Sequence, residues 1–204
     1  MNLKKLVTAA VCTMLMAAVA FTGGCGGEKK SDKKVLKVGM ECAYAPYNWS
    51  QTKADGGAVK IAGSNEYAYG YDVMMAKKLA DSMGADLEIH KIEWDGLAPA
   101  VVSGKIDAAI AGMSITSKRK ETVDFTKPYY YATVVALVKK DSEQAKAQSV
   151  ADLKGSVATS QLNTIWYDQI DQVPDVKKLP AIDTVPGMIV ALTSGKCNLI
   201  VTDI

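Results

Sequence analysis

The sequence predicts an α/β fold made of two successive sets of alternating strands and helices. The first set lies at residues 35–113 and follows the order β-α-β-α-β. The second set begins after a long extended run at residues 131–140 and continues to Ile204. Such alternation is typical of parallel sheets whose strands are joined by crossover helices. We therefore predict two α/β lobes, each with its own sheet.

The first set is defined by apolar patterns and by two glycines. Its longer helix is amphipathic, and Gly84 is expected to cap the C-terminus. Its shorter helix is expected to end at Gly104. In chain order the first set consists of a strand at 35–40, a helix at 71–84, a strand at 86–94, a helix at 96–104 and a buried strand at 107–113.

The second set follows the segment SVADLKG, residues 149–155. It has the same alternation of short apolar runs and helical patterns. Its predicted elements are a strand at 156–160, a helix at 164–173, a strand at 176–180, a helix at 185–195 and a strand at 198–204.

The N-terminus has the features of an export signal. Lys4 and Lys5 precede an apolar run from Leu6 to Phe21, and a Gly-rich segment follows. A positively charged start followed by a short apolar stretch matches a secretory leader better than a membrane span. We therefore predict a signal peptide at residues 1–24 and an exported protein.

The stretch Thr22-Gly23-Gly24-Cys25 resembles a bacterial lipoprotein box, in which the cysteine is acylated and becomes the mature N-terminus. A leucine usually stands three residues before that cysteine, and here the residue is Thr22. Cleavage after Ala20 by ordinary signal peptidase, which would leave a periplasmic or secreted soluble protein, is the alternative. Residues 25–34 are charged and almost free of apolar side chains, as expected of a flexible tether at the outer face of the membrane.

Composition excludes several classes of protein. Beyond the tether about 170 residues remain, enough for one large or two small domains. The net charge of +2 is nearly balanced and gives no indication of a nucleic-acid partner. Cys42 and Cys197 are far apart and follow no metal spacing, and His90, the only histidine, lies in a strand pattern. We predict neither a disulfide framework nor a metal or cofactor site, and Cys197 is expected to be a small buried hydrophobe.

Three segments follow predicted strands and therefore lie where α/β folds bind ligands, at the C-terminal ends of the strands. They are Met40–Tyr44, Trp94–Leu97 and Gly112–Arg119. Polar and aromatic side chains are concentrated in these segments, so we predict a binding site at this edge.

The last of these segments carries three consecutive cations, Lys118, Arg119 and Lys120. The Thr116 hydroxyl is placed to cap a helix that starts near Ser117. A helix N-terminus favours acids, so bases there are mildly unfavourable unless an anion binds among them. The pattern indicates an anion site, and a solvated basic turn is the alternative.

Three motifs together resemble the extracytoplasmic solute-binding proteins of amino-acid ABC importers, the polar amino-acid family. They are GYDVMMAKKLADSMGADLEI, WDGLAPAVVSGKIDAAIAGMSITSKRKETVDFTKPYY and SVADLKGSVATSQLNT. The resemblance runs from about Val35 to Ile204 and is most specific in the long middle block. It implies a two-lobed periplasmic-binding-protein (type II, Venus-flytrap) fold, with lobe 1 at residues 35–132 and a hinge crossover with part of lobe 2 at residues 133–204.

The resemblance implies how one end of a free L-amino acid is held. Arg119 is expected to bind the α-carboxylate with the help of Ser114 and Thr116. Thr164 of the other lobe is expected to add a donor when the lobes close. Asn163 stands where the family often has Gly, and asparagine tolerates the positive φ that glycine adopts.

The same resemblance places the rest of the ligand. Asp203 is expected to bind the α-ammonium, with the backbone around Gly112 also accepting. Tyr44 and Trp94 align with rings that stack on the ligand's side-chain stem, although packing in the core is the alternative for each. Glu41 matches a commonly acidic position and would attract a cationic or amide side chain.

The implied function is capture of a polar L-amino acid outside the membrane and its delivery to an ABC permease, without catalysis. Two alternatives reuse the same fold. A dehydratase-like enzyme would need a poised acid or base in the cleft, for which Glu41 is the only unassigned carboxylate. A sensory lipoprotein would bind without transport.

The resemblance also implies further segments after the VTD element at residues 201–203. Family members continue through additional strands and helices and return to the first lobe. We therefore expect the chain to be C-terminally truncated, with an incomplete second lobe, a single connection at the hinge and an unpaired sheet edge that favours aggregation.

Overall fold

The computed structural model describes residues 33–204, which form one compact unit. The predicted signal peptide, Cys25 and nearly all of the predicted tether lie outside the described residues. No helix among residues 33–204 is long and apolar enough to cross a membrane.

The described residues contain eleven strands and five α-helices. The strands are β1 (Val35–Met40), β2 (Ala43–Tyr44), β3 (Asn48–Gln51), β4 (Val59–Lys60), β5 (Tyr67–Tyr69), β6 (Asp86–Lys91), β7 (Ala108–Ala109), β8 (Val134–Leu137), β9 (Val157–Thr159), β10 (Lys177–Lys178) and β11 (Leu199–Asp203). The helices are α1 (Tyr71–Ser82), α2 (Leu97–Val102), α3 (Ser117–Lys120), α4 (Ile165–Gln169) and α5 (Val185–Thr193). Short 3-10 helices occur at Asp55–Gly57, Trp94–Gly96, Glu143–Lys146, Val150–Leu153 and Ile170–Gln172.

The first set of elements forms a three-stranded parallel sheet in the order β6-β1-β7. The predicted order β-α-β-α-β is therefore confirmed. The strand expected at 107–113 is shorter than predicted, because only Ala108 and Ala109 pair with β1. Beyond them the chain turns at Gly112, whose φ of 64° is incompatible with an extended strand. The residues that leave the ladder become part of the site described below.

Helix α1 begins where the backbone approaches the preceding hairpin very closely. Gly70 has a φ of 127°, and a Cβ there would lie 2.3 Å from the carbonyl oxygen of Tyr47. Only glycine fits this position. At the other end Gly84 has a φ of 62° just after the helix, so the predicted glycine cap is confirmed.

The second set forms a four-stranded sheet in the order β10-β9-β11-β8. β9 is parallel to both β10 and β11, as the alternation predicts. β8, which lies in the predicted extended run, pairs antiparallel with β11 and forms one edge of this sheet. Val134 and Leu137 on β8 are exposed. A third, antiparallel sheet in the order β2-β3-β5-β4 belongs to the hairpin region before α1.

Two apolar clusters lie on the two main sheets. The first includes Val38, Ile89 and Leu97, none of which is exposed to solvent. The second contains Ile170 and Leu199 and also takes up Tyr44 and Tyr47 from the hairpin region. We use "first lobe" for residues 35–132 and "second lobe" for residues 133–204; these bounds remain a prediction. The two tyrosines show that the lobes pack directly on each other.

Candidate functional site

Most of the predicted ligand-binding residues line one narrow cleft between the two lobes. The first lobe contributes the segment after β1, the 3-10 helix after β6 and the turn after β7, so the cleft lies at the C-terminal ends of parallel strands. The second lobe contributes the residues after β9. The lining residues are Glu41, Tyr44, Trp94, Ala111, Gly112, Ser114, Arg119, Gln161, Thr164, Ile165 and Trp166.

Arg119 lies on α3, whose N-cap is Thr116 as predicted. The Thr116 hydroxyl accepts a hydrogen bond from the backbone N–H of Arg119 at 3.1 Å. This cap fixes the start of the helix, so the guanidinium points along the turn toward the cleft. Lys118 and Lys120 on the same helix are exposed, in agreement with the expectation that they are solvated charges.

The Arg119 guanidinium is held by backbone carbonyl groups of both lobes. Nη1 donates to the carbonyl oxygen of Ser114 at 2.7 Å, and Nη2 donates to that of Asn163 at 2.9 Å. The group also lies over the Trp94 ring, 5.3 Å from its centre. No carboxylate of residues 33–204 forms a salt bridge with it. Burial lowers the pKa of Arg119 and the charge of Asp168 raises it, so an anion placed here would further compensate a desolvated cation.

Asn163 joins the lobes through its backbone. Its carbonyl oxygen accepts from Arg119 and, at 3.4 Å, from Nε1 of Trp94. Its φ is 55°, in the left-handed region, so the expected tolerance of asparagine for a glycine-like position is confirmed. The cross-lobe contact could not be predicted from the sequence, because every residue type has a backbone carbonyl group.

Glu41 is a buried carboxylate with one direct partner. The side chain is 4% exposed, and its Oε1 accepts a hydrogen bond from Nε2 of Gln161 at 3.0 Å. The same Gln161 nitrogen donates to the carbonyl oxygen of Asp183 at 3.0 Å. Burial raises the pKa of Glu41, the hydrogen bond from Gln161 lowers it, and the nearby charge of Glu93 raises it further. Gln161, which is only 2% exposed, is a second site residue that sequence analysis missed.

Asp203 and Tyr44 form the third contact between the lobes. The Tyr44 hydroxyl donates a very short hydrogen bond to Oδ1 of Asp203, and the Tyr44 ring packs edge-on against Trp166. Burial raises the pKa of Asp203, whereas hydrogen bonds from Tyr44 and Trp166 lower it. Tyr44 is therefore packed in the second core cluster and also faces the cleft, while its stacking on a ligand remains a prediction.

Thr164 caps α4 rather than presenting a free hydroxyl. Its Oγ1 donates to the carbonyl oxygen of Gln161 at 2.7 Å and accepts from the backbone N–H of Tyr167 at 3.3 Å. The single hydroxyl proton is thus engaged within the second lobe. The expected donation from Thr164 to a ligand remains a prediction and would require this proton to change partner.

The space at the lobe interface is divided into a small inner cleft and a larger cavity. The inner cleft, which contains Glu41, Trp94 and Arg119, encloses about 10 Å³, roughly the volume that one water molecule needs. The neighbouring cavity encloses about 260 Å³, is lined by several tyrosines and includes Asp203. Ser114, Gly112 and Tyr44 belong to both. Glu41 and Arg119 therefore line the smaller space, which is far below the usual size of a ligand pocket, about 300 Å³ or more.

Neither cysteine nor histidine contributes to this site. Cys42 and Cys197 are buried free thiols, and burial raises the pKa of Cys42 to about 12. Cys197 packs in the second cluster, which confirms its expected role as a small hydrophobe. Among residues 33–204 no three His, Cys, Asp or Glu side chains are grouped as metal ligands would be.

A family of known proteins matches most of the chain. Residues 36–182 match the bacterial extracellular solute-binding proteins, family 3. The chain is 31% identical over 167 residues to the arginine-binding extracellular protein ArtP of Bacillus subtilis, a match that covers 82% of this chain and 59% of ArtP. It is 30% identical over 197 residues to ABC transporter arginine-binding protein 1 of Escherichia coli, covering 96% of this chain and 70% of that protein. The chain thus spans less than two thirds of the first of these relatives.

Solved structures show the same two-lobed fold. An ancestral arginine-binding protein bound to glutamine has a TM-score of 0.71 and 32% identity, with 84% of this chain and 70% of that chain covered. The arginine-bound form of a truncated arginine-binding protein from T. maritima has a TM-score of 0.69 and 29% identity, covering 83% and 74%. The ancestral amino acid-binding protein AncCDT-1, described as a precursor of cyclohexadienyl dehydratase, has a TM-score of 0.70 and 32% identity, covering 83% and 70%.

Proposed function

Because the chain belongs to the bacterial extracellular solute-binding proteins of family 3, we propose that it captures a polar L-amino acid outside the membrane for an ABC permease. The charge arrangement of the cleft is the main support. One guanidinium without an ionic partner, Arg119, lies in the same interlobe region as two buried or half-buried carboxylates, Glu41 and Asp203. A free amino acid carries the complementary charges.

In this proposal each end of the ligand has its own anchor. Arg119 binds the α-carboxylate with Ser114 beside it, and α3 with its Thr116 cap holds the guanidinium in place. Asp203 and the backbone at Gly112 bind the α-ammonium. Each charge-assisted hydrogen bond contributes roughly 1.5 to 3 kcal/mol, so a few of them account for micromolar affinity.

The side chain of the ligand would extend toward Glu41, past the rings of Tyr44 and Trp94. Glu41 is desolvated and has no cationic partner among residues 33–204, since its one direct partner is the neutral amide of Gln161. A ligand guanidinium or ammonium would compensate this charge. We therefore propose a cationic L-amino acid, with arginine as the first candidate, and an amide side chain as second. The relatives named as arginine-binding proteins support this choice.

Isothermal calorimetry with arginine, lysine, histidine and glutamine tests the proposal. At least one should bind, and Arg119→Ala should weaken it at least tenfold because a charged pair is lost. Lys118→Ala is the matched control: it removes an exposed cation on the same helix and should change the affinity less than twofold. Equal affinities of the Arg119→Ala variant and the wild type would refute the anchor.

A catalytic function is the second candidate because one structural neighbour is a precursor of a dehydratase. The buried Glu41, whose pKa is raised, would be the acid in such a reaction. We favour binding without turnover, since Glu41 accepts its hydrogen bond from Gln161 and no other titratable group lines the inner cleft except Arg119 and Tyr44. Release of product from a cyclohexadienyl substrate, abolished by Glu41→Gln, would overturn this preference.

We further propose that Cys25 is acylated and holds the protein at the outer face of the membrane. The support is the lipoprotein box in the sequence and the charged tether that follows it. Acyl chains contribute about 0.8 kcal/mol per buried CH₂, so two or three chains give a stable anchor. The protein should label with palmitate and partition into detergent, and Cys25→Ala should release it. A soluble wild-type protein that begins at Phe21 would contradict lipidation.

A further inference from the structure

A network of hydrogen-bonded side chains lies behind the cleft. Its link to ligand binding rests on the proposed function. Its central residue is Asp72, in the first turn of α1. Asp72 and Asn48 are both 0% exposed, and Asp72 makes no salt bridge with any other residue of 33–204. A buried carboxylate without a cation is costly unless several hydrogen bonds satisfy it, so its contacts require an explanation.

One oxygen of Asp72 is connected to the segment that carries Glu41 and Tyr44. Oδ2 accepts from Nδ2 of Asn48 at 2.7 Å, and Oδ1 of Asn48 accepts from the backbone N–H of Cys42 at 2.7 Å. Cys42 has a φ of 56°, a conformation that is unfavourable for a residue other than glycine. The Asn48 side chain therefore stabilises the backbone at Cys42, where the conformation is unfavourable.

The other oxygen of Asp72 is connected to the second segment of the cleft. Oδ1 accepts from the hydroxyl of Tyr129 at 2.7 Å, and that hydroxyl accepts from the backbone N–H of Gly112 at 3.0 Å. Gly112 also has a positive φ, 64°, at the turn that leads into Ser114. One carboxylate is thus connected to the two positive-φ turns of the first lobe at Cys42 and Gly112, each through a single intermediate side chain.

We propose that Asp72 is a positioning residue that sets the geometry of the ligand site by holding the Cys42 and Gly112 turns in register with each other. Asp72 does not line the cleft, and it acts through Asn48 and Tyr129. The direction of every hydrogen bond in the network is fixed by this arrangement. Asn48 must turn its oxygen toward Cys42 and its NH₂ toward Asp72, which leaves Asp72 as an acceptor on both sides.

These directions give a test by exchange of side chains. In Asp72→Asn the new NH₂ group faces either the NH₂ of Asn48, where two donors meet, or the hydroxyl of Tyr129. In the second case the NH₂ group competes with the Gly112 N–H for the hydroxyl oxygen and leaves the hydroxyl proton without its acceptor. In the double variant Asn48→Asp with Asp72→Asn, the carboxylate moved to position 48 accepts from Cys42 and from the new amide at position 72. The amide oxygen at position 72 still accepts from Tyr129. The double variant therefore keeps the net charge and restores every bond.

Amide hydrogen exchange in the purified, ligand-free protein measures the network directly. Tyr129→Phe should raise the exchange rate of the Gly112 amide about fivefold or more, the effect of losing one hydrogen bond, and leave Cys42 nearly unchanged. Tyr71→Phe is the matched control: its hydroxyl bonds only the carbonyl of Tyr129 at 3.2 Å, so both amides should keep their rates. Unchanged exchange at Gly112 in Tyr129→Phe would overturn the proposal.

Affinity for arginine distinguishes positioning from simple stabilisation. Measured well below the melting temperature, Asp72→Asn should bind at least fivefold more weakly, and the double variant should recover to within twofold of the wild type. A double variant as weak as Asp72→Asn, or an Asp72→Asn protein that melts lower but binds normally, would overturn the positioning role. If the wild type binds none of arginine, lysine, histidine and glutamine, the proposed function fails. Exchange of the Cys42 and Gly112 amides in Asp72→Asn and in the double variant then still decides whether Asp72 holds the two turns.

Discussion

Glu41 illustrates how a single residue can oppose stability and support binding. Its carboxylate is almost fully buried beside Gln161, and burial raises its pKa above the value in the unfolded chain. The folded protein therefore binds the proton more tightly than the unfolded chain does. The stabilisation associated with this proton is complete below the unfolded pKa of about 4.3 and is lost as the pH rises through the folded pKa. Glu41 therefore makes the ligand-free protein less stable at neutral pH than at acidic pH.

Glu41→Gln should therefore melt at a higher temperature than the wild type at pH 7.5. The variant keeps an oxygen that can accept from Gln161 and removes the buried charge. The difference should shrink as the pH falls toward the unfolded pKa of about 4.3, because the wild-type carboxyl becomes protonated in both states below it. Differential scanning fluorimetry at the two pH values measures this. Asp72 and Asp203 also have raised pKa values, but both are present in the two proteins, so their contributions cancel.

Binding should change in the opposite direction. If Glu41 compensates a cationic side chain, Glu41→Gln should lose affinity for arginine and lysine more than for glutamine. Calorimetry with the three amino acids makes the comparison. A variant that is less stable at pH 7.5, or that binds arginine as well as the wild type does, would contradict the account of Glu41 as an uncompensated charge.

Among secondary-structure elements, α4 depends most clearly on one side chain. Thr164 caps it through Oγ1 and also bonds the carbonyl of Gln161. Thr164→Ala should lower the free energy of unfolding by about 1 kcal/mol, as the loss of a helix cap usually does. Thr164→Ser keeps the hydroxyl and should lose much less. Urea unfolding of the ligand-free proteins tests this, and equal losses in the two variants would assign the effect to the methyl group.

The elements themselves were largely predictable from sequence. Glycines with positive φ end α1 and α2 as expected, since the left-handed conformation after a helix excludes most other residues. The strand predicted at 107–113 is longer than the observed one, because a run of apolar residues is compatible with either a strand or a buried turn. The antiparallel pairing of β8 with β11 is set by how the chain enters the second lobe, which a local pattern does not encode.

At the scale of the whole molecule, the groups proposed to bind the ligand also hold the lobes together. Arg119 contacts Asn163, Glu41 contacts Gln161 and Tyr44 contacts Asp203. Each of these bonds must break or rearrange before an amino acid can enter. If these bonds hold the lobes closed, they compete with the ligand for the same side chains. The apparent affinity then decreases as the fraction of open molecules decreases.

Tyr44→Phe should accelerate association with arginine, up to about tenfold, because a hydrogen bond to a charged group no longer favours the closed form. The aromatic ring remains available for the ligand. Stopped-flow recording of tryptophan fluorescence gives the rate. Tyr47→Phe is the matched control, since Tyr47 packs beside Tyr44 at 4.8 Å between ring centres and does not bond Asp203. Equal association rates in both variants would show that the Tyr44–Asp203 bond does not limit opening.

The site was only partly predictable. Eight of the predicted residues line the two spaces at the lobe interface, and Thr116 supports them from the cap of α3. Gln161 and the hydrogen-bonded triad of buried Asn48, buried Asp72 and half-buried Tyr129 were missed, because their importance lies in distances between segments far apart in sequence. The expectation that further segments complete the second lobe remains a prediction, as do the domain bounds.

The acceptor shared by Arg119 and Trp94 is a main-chain atom of Asn163. Substitution at position 163 cannot delete a carbonyl oxygen, and the positive φ restricts the position to the few residue types that tolerate it. The contact that Arg119 and Trp94 make with Asn163 therefore depends on the backbone of residue 163 and not on its side chain. A substitution at Glu41 or at another proposed ligand-contacting side chain would therefore leave the contact of Arg119 and Trp94 with the second lobe in place.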